Sequence, residues 1–241
     1  MNRAILTYHS IDEQGSPISV SPSSFARHIE FLASDRVNVV PLDEIASCTD
    51  SRPTVALTFD DGLESFASHA WPMLRDHGLP CSLFVVTGRV GESNRWNDLA
   101  SVPDQRLLDW DELGGLAEQG VSLGSHSVTH RDLTTLSTHE LRDELSDAIE
   151  SLVAHSGVEP TSFAYPFGSF NAEVANVTRE LYSWGVTTRM ALLGKDDPIL
   201  LPRVDAFYLS APGRIEAFGR PAFARFVRWR HFLRRLRRWG A

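Results

Sequence analysis

Four short stretches carry side chains whose types and spacing suit hydrolytic chemistry. His9-Ser10, Asp60-Asp61-Gly62, Ser125-His126-Ser127-Val128-Thr129-His130 and Pro166-Phe167-Gly168 each follow a short apolar run. Two histidines four residues apart, with a carboxylate from another segment, make a two-His, one-carboxylate set. Such a set suits Zn2+ or another divalent transition metal and leaves positions open for water and substrate. A metal so held brings the pKa of a water toward about 7 and polarises a carbonyl oxygen. Each signal is weak alone: histidine pairs at this spacing are common on surfaces and in cores, and an Asp-Asp-Gly turn often only caps a helix. Consecutive side chains leaving a strand point different ways, however, so one aspartate can hold metal while the other faces an attacking water as general base. A glycosidase pair fits less well, because no second strand-end carboxylate stands out as partner. A serine hydrolase lacks its G-x-S-x-G elbow.

The elements that must position these residues alternate along the chain. Residues 4–8, 37–40, 55–59, 82–86, 121–124, 162–165 and 185–188 read as strands. Between them, residues 21–34 read as a helix with Pro22 in its first turn and Phe25, Ile29 and Leu32 on one face. Further helices are expected through Phe66, Ala70 and Leu74, over 107–120 ending at Gly120, from Thr138 to His155 with a capping arrangement at its start, and from Ala172 to Ser183. Residues 88–105 read as a long functional loop. Alternating strands and helices imply a parallel sheet with crossover connections. About seven such units without a Gly-rich dinucleotide fingerprint favour a (β/α) barrel over an open doubly wound sheet. In a barrel all four polar stretches open onto the face at the C-terminal strand ends.

The chain has 241 residues, 42% apolar and 22% charged, which suits a globular domain of ordinary composition. A chain this long buries roughly 70–75% of its unfolded surface and needs no disulfide or structural metal to fold. Cys48 and Cys81 are read as unpaired thiols. No apolar run approaches the roughly 18 residues of a membrane span, and the short apolar run after Met1 does not read as a signal peptide. The expected location is the cytoplasm. The net charge of −8 divides unevenly: Arg220–Ala241 holds eight arginines and no acid, leaving the other 219 residues at −16. An acidic body does not invite nucleic acid.

Thr58-Phe59-Asp60-Asp61-Gly62 together with His126–His130 resembles the polysaccharide deacetylase (NodB-homology) family. Arg131–Ser137 (RDLTTLS), Phe163–Gly168 (FAYPFG) and the opening Leu6–Ser10 (LTYHS) strengthen the resemblance, which covers roughly residues 4–210. It implies a distorted (β/α)7 barrel and a metal-dependent hydrolase that removes N-acetyl groups from an amino-sugar glycan or glycolipid. It implies Asp61, His126 and His130 as ligands of one divalent metal, Zn2+ first and Co2+ or Ni2+ as alternatives, with Asp60 as general base. The acetyl oxygen would be stabilised by the metal and the Phe167 backbone N–H, with Tyr165, Pro166, Phe167 and Gly168 walling the sugar groove. The chain departs from the commoner pattern in two places. Ala164 stands where many members have an arginine that steadies the base, and no late Leu-x-His supplies a general acid. The Tyr8-His9-Ser10 opening suggests a branch in which an N-terminal histidine takes that role, making His9 the candidate acid. Arg203, in Leu201–Asp205 (LPRVD), is the candidate replacement arginine; its alternative is a barrel-closing salt bridge.

Trp96, alone of the tryptophans in the long loop, is a candidate for stacking on sugar. His28, His69, His77, His139 and His155 lie within or beside expected helices and read as exposed or packed. Residues 1–215 form the expected barrel and 216–241 a basic tail. At 100° per residue, Phe226, Trp229, Phe232, Leu233, Leu236 and Trp239 share an arc of about 140°. A basic amphipathic helix with tryptophans on its apolar face reads as a contact with an anionic membrane surface. The competing reading is a helix docked on the acidic barrel. Two other functions stay open: a catalytically silent carbohydrate-binding relative, and a membrane-associated scaffold in glycan assembly.

Overall fold

The computed structural model describes residues 3–96 and 102–239. Among the described residues there are ten strands: β1 (Arg3–Tyr8), β2 (Ser10–Ile11), β3 (Ser19–Val20), β4 (Asn38–Val39), β5 (Thr54–Phe59), β6 (Ser82–Val85), β7 (Ser122–Ser125), β8 (Ser162–Ala164), β9 (Trp184–Val186) and β10 (Val204–Asp205). Six α-helices accompany them: α1 (Pro22–Leu32), α2 (Trp71–Asp76), α3 (Trp110–Glu118), α4 (Thr138–Ser156), α5 (Ala172–Leu181) and α6 (Pro221–Trp239). The main sheet is parallel and runs β10-β1-β5-β6-β7-β8-β9, with β4 pairing beside the start of β5. Every residue of β5 is buried, as expected for a parallel strand covered on both faces.

The sheet curls into a half-barrel. Its two ends approach through the segment leading into β10: Val186 of β9 bridges Leu201, Arg203 N–H donates to Arg189 O, and Val204 pairs with Leu6 of β1. The alternation predicts a barrel of parallel strands, and the resemblance implies a distorted one; the curled half-barrel agrees with both. Three strands carried too little pattern to be expected. One, β10, completes the curl; the other two, β2 and β3, form a separate parallel pair immediately after His9.

Local chemistry explains the helix boundaries. Ser21 caps α1 by accepting from Ser24 N, with Pro22 at the first turn. Ser137 and Glu140 form a reciprocal capping box on α4, and Asp109 and Glu112 do the same on α3. Before α2 the chain makes a wide π-helical turn, Phe66–Ala70. Both cysteines are free thiols.

The packing does not break at residue 215. Ile215, Phe218, Phe223 and Val227 belong to the same buried core as β1 and β5. The face of α6 that docks is therefore Phe223 and Val227, continued by Arg230 over the Tyr208 ring at 3.9 Å and Arg234 at 3.8 Å from Asp205. Most of the expected apolar arc lies elsewhere: Phe226 and Leu233 are half-buried, while Trp229, Phe232 and Leu236 are more than half exposed. The Trp239 side chain lies outside the described residues. Among the described residues, no helix is long and apolar enough to cross a membrane.

Candidate active site

The ends of β1, β5, β7 and β8 deliver their polar residues to one cavity of about 150 Å³, bordered by His9, Asp60, Asp61, His126, His130 and Phe167 among others. Positions that convert strand into site are conformationally unusual. Asp61, Ser127, His130 and Phe167 are the non-glycine residues with positive φ among the described residues, at 57–73°. Each such conformation costs roughly 1–2 kcal/mol for an L-residue. The surrounding structure holds them there: Ser127 Oγ accepts from His130 N at 3.1 Å, and Glu144 of α4 accepts from Val128 N and Thr129 N at 3.0 and 2.9 Å and from the Thr129 hydroxyl.

The left-handed turn at Asp61 separates the two aspartates. Asp61 Oδ1 faces His126 Nε2 at 3.5 Å and His130 Nε2 at 3.6 Å. His126 Nδ1 donates to Ala164 O at 2.7 Å, which leaves its Nε2 facing the cavity. Ligand atoms of the three residues all lie within 4.8 Å of one another. Two donors each about 2.1 Å from a zinc at a tetrahedral angle sit roughly 3.4 Å apart. The gaps, too long for hydrogen bonds, therefore match a shared divalent ion, and the oxygen-plus-two-nitrogen set fits one chemically.

Asp60 turns the other way, to Arg203. The two form a bidentate pair at 2.7 Å for both Nη1–Oδ1 and Nη2–Oδ2, with Arg203 1% and Asp60 2% exposed. Arg203 also donates to Thr187 O at 3.0 Å and to Thr58 Oγ1 at 3.3 Å. It thus ties the end of β9 to β5, so the pairing with Asp60 and the barrel-closing contact are the same interaction. Thr7 Oγ1 lies 3.4 Å and His9 Nε2 3.6 Å from Asp60 Oδ2. His9 is held between β1 and the β2–β3 pair with its side chain 24% exposed, open to the cavity.

The electrostatics follow from this geometry. Burial alone would raise the Asp60 carboxyl, but the Arg203 charge, then His9, outweigh it and hold it well below the usual carboxylate range. Burial opposes ionisation of Asp61 as well, and the neighbouring His126, His9 and His130 outweigh it. Burial followed by the His126 charge pushes His130 down to about 3, which keeps it neutral.

Around this centre, Trp96 lies 4.6 Å, ring to ring, from His130 and borders the cavity. Phe167 meets His130 edge-on at 4.6 Å and is 39% exposed. Tyr165 is buried against Phe163 and Phe170 and borders the cavity. Pro166 is buried, and Gly168 borders a neighbouring cavity instead. Gly168 has φ +70°, and a Cβ there would meet Thr188 Oγ1. Residues 97–101 of the expected long loop lie outside the described residues. Thr7 and Thr58 lie inside the quoted motifs but were assigned no role, and Glu144 was not foreseen, since a mid-helix glutamate carries no motif. The other histidines do not converge on the site; His28 is buried between Tyr8 Oη and Leu209 O.

Comparison with known proteins identifies the family and the fold. The family described as polysaccharide deacetylase matches residues 48–183. YxkH of Bacillus subtilis is 25% identical over 198 residues, 80% of this chain, and the chain spans 66% of that protein's length. Poly-beta-1,6-N-acetyl-D-glucosamine N-deacetylase of Staphylococcus aureus is 23% identical over 202 residues, covering 78% of this chain and 69% of that one. Among solved structures, the fold is shared with deacetylase PplD of Streptococcus pyogenes (TM-score 0.73, 23% identity, 85% and 92% of the two chains). IcaB from Ammonifex degensii superposes similarly (TM-score 0.75, 21% identity, 92% and 97%). With the family match spanning more than half its length, the chain belongs to the polysaccharide deacetylase family.

Proposed function

We propose that the chain is a metal-dependent N-deacetylase acting on an N-acetylated amino-sugar glycan or glycolipid. One observation carries the reading: three convergent metal-type donors, Asp61, His126 and His130, lie beside an Arg203-held carboxylate in one cavity. A divalent ion held by those three, zinc by ligand type, would activate a water and polarise the acetyl carbonyl. Asp60, kept ionised by Arg203, accepts the proton of the attacking water. The amide C–N bond breaks, and His9, on the same side of the cavity, donates a proton to the departing amine. Water and amide thus become acetate and a free amine. The Phe167 backbone N–H is a further donor for the developing oxyanion. Arg203 acts as a positioning residue, doing from the β10 end what Ala164 cannot. Trp96 and Phe167 offer ring faces and edges to the sugar.

Metal content is the first test. Purified protein should hold about one divalent ion per chain after dialysis, lost in a His126→Ala/His130→Ala variant. No metal bound, and none taken up from Zn2+, Co2+ or Ni2+, would overturn the hydrolase and favour a carbohydrate-binding role. Acetate release from N-acetylglucosamine oligomers should then fall by about 10²–10⁴ in Asp60→Asn.

A further inference from the structure

The outward side of α6 serves neither the proposed chemistry nor the core. The helix buries Phe223 and Val227 and turns Arg230 and Arg234 toward Tyr208 and Asp205. At about 100° per residue these four share one side, and Trp229, Phe232 and Leu236 fall on the opposite one. Those three are 54%, 57% and 53% exposed. Arg225 lies among them and Arg228 beside them, both exposed. Neither enters an ion pair among the described residues, and nor does the exposed Arg220 just before the helix. The direction of α6 on the barrel is fixed at both ends. It begins just after Gly219, which packs on Pro53 ahead of β5, and reaches Arg234 beside Asp205, the last residue of β10. It therefore climbs from the base of the parallel sheet to the rim where the strands end and the active-site cavity opens. Its exposed stripe lies toward the rim end, where Phe207, two residues past Asp205, adds another exposed ring.

An apolar stripe set among unpaired arginines selects its surroundings by charge and by wetting. A second copy of the same face would bring like charges together. The headgroup layer of an anionic bilayer offers phosphates to the arginines and hydrocarbon to the rings at one depth. The acidic remainder of the chain, at −16, does not cancel the attraction, because acids more than about 8 Å away are largely screened at physiological salt. We propose that the outward face of α6 lies on an anionic membrane surface, with the helix axis in the plane of that surface. Because α6 runs from base to rim, this posture sets the active-site cavity opening along the surface rather than away from it. The inference goes beyond the deacetylase reading and does not depend on it.

Sedimentation of the full chain with vesicles of mixed phosphatidylglycerol and phosphatidylcholine tests it, with pure phosphatidylcholine vesicles as control. The protein should pellet with the anionic vesicles, far less with the neutral ones, and be released in part by added salt. Arg225→Glu/Arg228→Glu should weaken binding by about thirtyfold or more, since each lost cation near the surface counts and its reversal adds repulsion. Trp229→Ser/Phe232→Ser should weaken it by about tenfold or more through lost apolar burial. All four positions are exposed, so thermal melts of both variants should match the native chain. Failure to bind the anionic vesicles, equal binding to the neutral ones, or unchanged affinity in either variant would overturn the proposal. A native dimer that the ring variant converts to monomer would overturn it too, by assigning the face to a second copy. So would binding to a polyuridine oligonucleotide but not to vesicles, which would make the helix a nucleic-acid contact. Because the readout is vesicle binding, it stands or falls apart from metal content and acetate release.

Discussion

Replacing Arg203 by methionine removes the counter-charge of a buried carboxylate while keeping much of the side-chain volume. In the native protein both carboxylate oxygens of Asp60 are 2.7 Å from guanidinium nitrogens, and neither residue is more than 2% exposed. With charge centres roughly 4 Å apart and an effective dielectric near 20, the attraction is about 4 kcal/mol. Removing one partner of such a pair strands the other, at a typical cost of about 3–5 kcal/mol. Urea denaturation at pH 7.5 should show a loss of that size for Arg203→Met. Asp60→Asn together with Arg203→Met should recover at least about 2 kcal/mol relative to the sum of the single losses, since no charge is left unpaired. The pH dependence supplies a second reading. Native Asp60 has a folded pKa below its unfolded value, so its contribution is present above about pH 4 and lost in acid. In the variant, burial acts without Arg203 and puts the folded pKa above the unfolded one. The deficit should therefore be largest at neutral pH and narrow as pH falls toward about 4. A loss below about 1 kcal/mol, or an additive cycle, would refute the claim that Arg203 holds Asp60 ionised.

Two other perturbations probe the scaffold. His28 is pushed down to about 4, first by burial, with Nδ1 3.0 Å from Tyr8 Oη and Nε2 3.1 Å from Leu209 O. The unfolded imidazole takes a proton near pH 6.5 and the folded one does not, so about 3 kcal/mol of stability should vanish as pH falls from about 6.5 through 4. Urea midpoints at pH 7.5 and 4.5 should converge in His28→Gln, and an unchanged acid sensitivity there would assign the loss to other groups. Glu144→Ala leaves the buried-side N–H groups of Val128 and Thr129 without their acceptor. It should cost about 2–4 kcal/mol in a denaturation experiment and weaken metal affinity about tenfold or more, whereas Glu144→Gln, which keeps one acceptor, should lose less on both counts.

Much of this protein is legible without coordinates because its signals are local. Apolar runs such as Val55–Phe59 can only be buried strands, and caps such as Ser137 with Glu140 act within one turn. The alternation of strand and helix implies a parallel sheet, and a parallel sheet sends every strand end to one face. That face therefore gathers His9, Asp60, Asp61, His126, His130 and Phe167, residues up to 158 positions apart in the chain. Other features depend on three-dimensional closure and leave no local trace. Two-residue strands such as β10 exist only because a neighbour supplies hydrogen bonds. The resemblance assigns Asp61 to the histidines and Asp60 to the base, but the left-handed turn at Asp61 that separates them is a conformation imposed by its surroundings. The same holds for α6: its sequence has one obvious apolar arc, yet the core accepts Phe223 and Val227, because what a helix buries is decided by the surface it meets. Residue type and order determined the fold class and the chemistry available. Tertiary structure decided the pairing of Arg203 with Asp60 across the barrel, because a contact between residues 143 apart is created by chain closure and not by either segment alone.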